Sequence, residues 1–325
     1  MQDILPTLRD HSIPLRPSEF GRAFAAKYRI SQLLRFSRVG PVIRRAYDLR
    51  KRGGYVRVVN YHSTPTCDLD QLRRHFEFYR THFVPVSPSE LHKALTQGWN
   101  ADKPGLIISF DDGLRCNYDI ARPLLDEFGF TGWFFIPICF IDALPGEQQT
   151  FAERNRIPYR QVYADGRIAM SWAELRELSI LHVVGSHTMT HCRFSADMTY
   201  DRAHHEIVIS RRELEDRVGT NIHSFCWVGG EREVYSELPA AVIREAGYEF
   251  SFMTNSAPVV KGTDSLQIQR TNIESWWPLH LVEFQLSGLM DLFYTRKRMA
   301  VEKATRTSAK FVSADPHGHS LGSEA

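Results

Sequence analysis

From residue 55 to about 304, short apolar runs alternate with amphipathic segments, and this limits the fold more than any other feature of the chain. The runs 56–61, 83–86, 105–110, 132–140, 182–185, 224–228, 250–254 and 266–270 read as strands, most of them rich in Val, Ile and Phe. Between them, 68–83, 88–99, 118–128, 200–218 and 238–246 carry helical spacing, as does a segment opened by Ser171 with Glu174 three residues on, a capping box. One helix is expected over 279–304. Repeated strand-then-helix units with short links imply a parallel sheet with helical crossovers, because parallel neighbours need a crossover that packs on the sheet. The expectation is an α/β protein, a distorted (β/α) barrel of seven to eight strands over 55–304. The stretch 142–168 is polar and irregular and reads as a loop insertion, and 305–325 as a flexible tail.

Residues 1–54 have a different character. Two amphipathic helices broken at Gly40-Pro41 are expected over 19–52. The formal net charge of +2 hides an asymmetry: residues 1–55 hold 12 Lys/Arg and 4 Asp/Glu, the rest 28 and 34. A basic excess confined to one arm argues against a nucleic-acid binder. It fits either a solvated helical face or docking on an anionic membrane surface. Five scattered cysteines without a CxxC fit reduced thiols better than a disulfide framework. Asp3, Arg9, Asp10 and Arg16 interrupt any apolar leader. A cytoplasmic protein, at most peripheral to a membrane, is the expectation.

Two motifs carry chemistry. The run 105–110 ends in Asp111-Asp112-Gly113, and the run 182–185 leads into His187-Thr188-Met189-Thr190-His191. Each is ambiguous by itself: Asp-Asp-Gly suits a turn, and two histidines four apart share a face only if the segment makes a helical turn. Together they say more, because both follow buried strands and should emerge on one face of the barrel, at the strands' C-terminal ends. One carboxylate and two imidazoles form the three-ligand set of a hydrolytic zinc site, which leaves the second carboxylate free to act as a base.

The sequence resembles the polysaccharide deacetylases, the carbohydrate esterases with a nodulation-type deacetylase domain, over roughly residues 55–295. The family's first motif stands here as Ser109-Phe110-Asp111-Asp112-Gly113 and its second as His187-Thr188-Met189-Thr190-His191. The resemblance implies a distorted barrel, a divalent metal of zinc type held by Asp112, His187 and His191, Asp111 as catalytic base, and an N-acetylated glycan as substrate. The physical logic agrees: a bound metal polarises a poor electrophile and acidifies water.

The chain departs from the family in its third and last motifs. Phe225-Cys226-Trp227-Val228-Gly229-Gly230 lacks the expected Arg and Pro-Tyr pair, and the Leu-x-His-Asp that donates a general acid is absent. Arg270, ending the last strand, is the candidate substitute for the Arg. His62, after the first strand, is expected near the site, and His280, the nearest histidine to the missing motif, sits at the head of the final helix and is not favoured. Trp227 is the one tryptophan beside a motif that could stack on a sugar. The resulting expectation is a metal-dependent N-deacetylase of a hexosamine-containing polysaccharide or glycolipid. The alternatives are hydrolysis of another non-peptide C–N bond or a silent glycan-binding scaffold.

Overall fold

The computed structural model describes residues 22–37, 39–51 and 54–306. The remainder of the arm before residue 22 and the tail from 307 lie outside the described residues. Strands β1 (Val56–Tyr61), β2 (Val84–Pro85), β3 (Gly105–Phe110), β4 (Gly132–Ile136), β5 (Val183–Ser186), β6 (Ser224–Cys226), β7 (Phe250–Met253), β8 (Ile268–Gln269) and β9 (Thr271–Asn272) form one parallel sheet. Around it the order is β1-β3-β4-β5-β6-β7-β8, with β2 against the start of β3. The stretch 268–272 closes the ring. Ile268–Gln269 pairs with β7, Thr271–Asn272 pairs with β1, and Arg270 stands at the change of partner. This is the α/β barrel expected from the alternation of runs.

The pleat separates two cores. Val56, Val58, Ile107, Trp133, Phe135, Phe250, Phe252 and Ile268 form one cluster inside the barrel. Val59, Tyr61, Leu106, Ile108, Phe110, Phe134 and Ile136 join a second, larger cluster with the surrounding helices. All six residues of β1 and of β3 are buried, so both faces are covered and no polar alternation survives in the sequence. Gly185 is part of this packing: a Cβ there would come within 2.7 Å of the Phe135 ring and 2.8 Å of the Ser224 carbonyl.

Several boundaries differ from the sequence reading. The run 132–140 is a strand only to Ile136; Pro137 ends it, and Ile138–Asp142 is a short helix. The insertion at 142–168 contains a helix, Pro145–Asn155, with Pro at its first turn. The expected single helix over 279–304 is three, Leu279–Leu286, Leu289–Phe293 and Thr295–Ala304, broken after Leu286 by Gly288 at φ 88°. A Cβ on Gly288 would overlap the Tyr47 ring at 2.2 Å, so the break and the seating of the arm go together.

The arm has two helices, Arg22–Phe36 and Val39–Lys51, so Gly40 and Pro41 lie in the first turn of the second rather than at the break. Phe24 is buried against Trp276 and Trp277, and Tyr28 packs on His280. Tyr47 Oη donates to Asp291 Oδ2 at 2.7 Å, and Arg57, pointing outward from β1, holds both carboxylate oxygens of Asp291 at 2.6 and 2.8 Å. These contacts fasten the arm and the C-terminal helices to one another and to the barrel.

Candidate active site

The inward positions of the strands lead directly to the site. Ile107 and Ser109 precede Asp111 on the inner face of β3, Val58 and Asn60 precede His62 on β1, and Ile268 precedes Arg270. The pairs Asn60–Ser109 and Tyr61–Phe110 fix the register of β1 and β3, and the Asp111 amide donates to the Tyr61 carbonyl at 3.0 Å. His62 and Asp111 therefore leave the sheet side by side.

Asp112, His187 and His191 converge. The Nε2 atoms of His187 and His191 lie 3.5 and 3.0 Å from the same oxygen, Asp112 Oδ1. Their other ring nitrogens are taken: His187 Nδ1–H donates to the Cys226 carbonyl at 2.9 Å and His191 Nδ1–H to the Asn155 carbonyl at 2.7 Å. Those bonds fix the tautomer and leave both Nε2 lone pairs facing an anionic oxygen, an arrangement that only a shared cation or proton can hold. Asp112 Oδ2 is buried without a hydrogen-bond partner. Burial opposes charge on both His187 and Asp112. At His187 that penalty is outweighed by Cys226 and by the Asp112 and Asp111 carboxylates, which raise its pKa; at Asp112 it is outweighed by the imidazoles of His191, His187 and His62, which hold the carboxyl down. The three ligand atoms lie within 4.8 Å of one another, and the donor set fits a divalent ion of zinc type.

The backbone is strained where these groups meet. Asp112, Thr188 and His191 have φ of 74°, 71° and 60°, a region that L residues rarely occupy. The histidine segment is thus an irregular turn, not the helical turn on which its four-residue spacing would place both rings. Buried Glu206 holds the turn open: it accepts from the Thr190 amide at 3.0 Å and from Thr190 Oγ1 at 2.8 Å.

Asp111 stands beside the cluster and is gripped by Arg270. Arg270 Nη1 donates to Oδ1 at 2.6 Å and Nη2 to Oδ2 at 2.7 Å. Nη1 also reaches Ser109 Oγ at 3.1 Å, and Ser109 in turn donates to the Val59 carbonyl at 2.9 Å. Burial pushes the Asp111 pKa up, but Arg270 and His187 outweigh it and hold the carboxyl below the ordinary range. His62 Nδ1–H donates to Glu274 Oε1 at 3.0 Å. Burial lowers the His62 pKa, while Glu274, Asp112 and Asp111 raise it further, to about 9.

One expectation does not survive. Trp227 is 1% exposed, packed among Phe194, Phe225 and Tyr235, with its Nε1 donating to Ser251 Oγ at 2.9 Å. No face of its ring is free for a sugar; it is core. His280 faces Tyr28 of the arm, away from the cluster. Sequence reasoning also missed Glu274, the Cys226 carbonyl and the Asn155 carbonyl, the last from the segment read as loop. Main-chain acceptors carry no signal in residue type, and Glu274 is an isolated acid in a connection.

A parallel α/β barrel with paired carboxylates and imidazoles gathered at the C-terminal ends of its strands has the groups that metal-assisted hydrolysis requires. Comparison narrows the reading. Residues 99–251 match the family model described as polysaccharide deacetylase, a segment that includes Asp111, Asp112, His187 and His191 and excludes His62 and Arg270. That segment belongs to the polysaccharide deacetylase family. The barrel is similar in fold to the deacetylase PplD of Streptococcus pyogenes in complex with acetate, at 14% identity and a TM-score of 0.55 over 71% of this chain and 98% of that one. It is similar to IcaB of Ammonifex degensii at 16% and 0.55, over 73% and 97%. The BpsB deacetylase domain of Bordetella bronchiseptica matches at 19% and 0.52, over 68% and 97%. No curated protein matches the chain.

Proposed function

We propose that the protein is a metal-dependent N-deacetylase acting on acetamido groups of a hexosamine-containing polysaccharide or glycolipid. The observation that carries this reading is the convergence of Asp112 Oδ1 with two tautomer-fixed Nε2 atoms, beside a second carboxylate locked by Arg270. The family match and the deacetylases of the same fold, one of them in complex with acetate, support it.

Asp112, His187 and His191 would hold the ion. When bound, a zinc-type cation polarises a carbonyl oxygen and lowers the pKa of water. Asp111 is the proton acceptor: it is ionised, next to the ligand set and fixed in orientation by two hydrogen bonds. Arg270 lowers its basicity but keeps it charged and aimed, a trade that favours geometry over driving force. His62 is the proton donor to the departing nitrogen. Glu274 keeps it protonated at neutral pH, and at 21% side-chain exposure it is more open than Asp112, His187 or His191, so it faces where substrate would enter.

Acetate release from N-acetylated glucosamine oligosaccharides tests the reading. Activity is expected in the wild type, lost reversibly on chelation and lost in Asp111→Asn. A panel of small cyclic amides run in parallel separates the alternative C–N bond: turnover confined to that panel overturns the glycan assignment.

A further inference from the structure

Fourteen large apolar side chains are exposed among the described residues, and nine of them lie on the arm helices and the last two C-terminal helices. In the arm, Ile30, Leu33, Phe36, Val42 and Leu49 point outward, Phe36 at 81% exposure, while Phe24, Tyr28 and Tyr47 face the barrel. On the C-terminal side Leu292 and Phe293 are each 73% exposed, and Met299, in the helix that follows, is exposed as well. The two regions are neighbours: Tyr47 bonds Asp291, and Lys27 reaches Tyr294 Oη at 3.5 Å.

The charge on these elements is predominantly positive. Arg22–Phe36, Val39–Lys51, Leu289–Phe293 and Thr295–Ala304 carry twelve Lys/Arg and three Asp/Glu, and of the three Asp291 is buried against Arg57. Arg45, Arg50, Arg296 and Lys303 are exposed among the outward apolar groups. Protein cores and ordinary solvated helices both put apolar side chains inward. Here the outward face combines apolar groups with cationic ones.

We infer that this surface docks on an anionic phospholipid bilayer, the arm and the C-terminal helices lying in the headgroup region with their outward apolar side chains inserted. Apolar burial plus attraction to anionic headgroups is the combination such a surface supplies. A second copy of the chain fits poorly, since a symmetric contact would set one basic face against its twin. Residues 1–21 and 307–325 each hold one more acid than base, too few to neutralise it. A nucleic acid would meet the charge but leave the large apolar groups without a partner. No described helix is long and apolar enough to cross a membrane, so the association is peripheral. The inference is independent of the reaction the barrel performs.

Co-sedimentation of the full chain with vesicles tests it. Binding is expected to phosphatidylglycerol/phosphatidylcholine vesicles, weaker binding to pure phosphatidylcholine, and loss of binding in high salt. The double variant Leu33→Ser/Phe36→Ser should weaken binding at least about ten-fold, because two inserted side chains are removed. Ile180→Ser/Leu181→Ser, altering an exposed apolar pair elsewhere, should leave it unchanged. Absence of binding to anionic vesicles overturns the inference. So does binding that falls in the Ile180/Leu181 variant and not in the arm variant. A dimer in light scattering that the arm variant dissociates, without vesicle binding, assigns the face to a second copy instead.

Discussion

Arg270 and Asp111 form a fully buried two-pronged ion pair across the point where the barrel closes. The pair exists because the closing stretch changes partner at Arg270, from β7 to β1, and turns that side chain inward at the height of Asp111. Removing the guanidinium strands a buried carboxylate, so Arg270→Ala should destabilise the fold by about 3–5 kcal/mol in urea titration. Arg270→Lys keeps the charge but not the fork, and should fold while losing about 100-fold in kcat with little change in KM. An Arg270→Lys enzyme of wild-type kcat would remove Arg270 from the account of the base.

The His62–Glu274 pair sets an alkaline limit. His62 must be protonated to donate, and its pKa is raised to about 9 by Glu274 and the site carboxylates, so deacetylation should decline as pH rises through that region. Glu274→Gln removes the principal raising charge and should shift the alkaline limb of the kcat profile to lower pH. A limb that stays in place in this variant assigns the acid to another group.

Trp227 is an anchor of the core. Trp227→Ala should cost about 3–5 kcal/mol by chemical denaturation, through the cavity it leaves and the orphaned Ser251 hydroxyl. Trp227→Phe should fold and keep the KM for glycan substrate. A KM raised several-fold by this conservative change, in a stable protein, is the signature of a sugar platform and would reverse the assignment.

His75 makes stability depend on acid. It is fully buried, with Nε2 2.7 Å from the Trp277 carbonyl and Nδ1 3.1 Å from Tyr61 Oη. Burial lowers its pKa to about 4, against a bond to Trp277 that raises it. The unfolded chain, with a histidine pKa near 6.5, therefore binds more protons between these values, and stability falls as pH drops through that window, by about 3 kcal/mol from this group. The melting temperature of His75→Gln should decline less steeply between pH 6.5 and 4 than that of the wild type; parallel declines would show that His75 is not the group responsible.

How far the sequence speaks depends on which chemistry a residue uses. The strand run 105–110 was legible to the residue because burial on both faces leaves Ser109 as its one polar side chain. The capping box at Ser171–Glu174 was legible because its two side chains answer each other locally, and both bonds are present. Asp111, Asp112, His187 and His191 stood out as residue types that are costly beside buried strands. The turn that delivers the histidines was not legible, since left-handed φ at Thr188 and His191 is imposed from a distance by Glu206 and the Asn155 carbonyl. Trp227 was misjudged because adjacency to a motif does not say which way a ring points. The arm's seating on Trp276 and Trp277 is a contact between the two ends of the described chain, and periodicity carries no information about it.

The central claim is that Asp112, His187 and His191 together hold one divalent cation. Calorimetric titration of chelator-stripped protein with zinc tests it most directly, with thermal unfolding as a second readout. One equivalent should bind the wild type, with stabilisation of about 4 kcal/mol at a thousand-fold excess over Kd. Asp112→Ala and His191→Ala should each abolish that binding while remaining folded. Stoichiometric zinc bound undiminished by both variants, or no zinc bound by the wild type, contradicts the account.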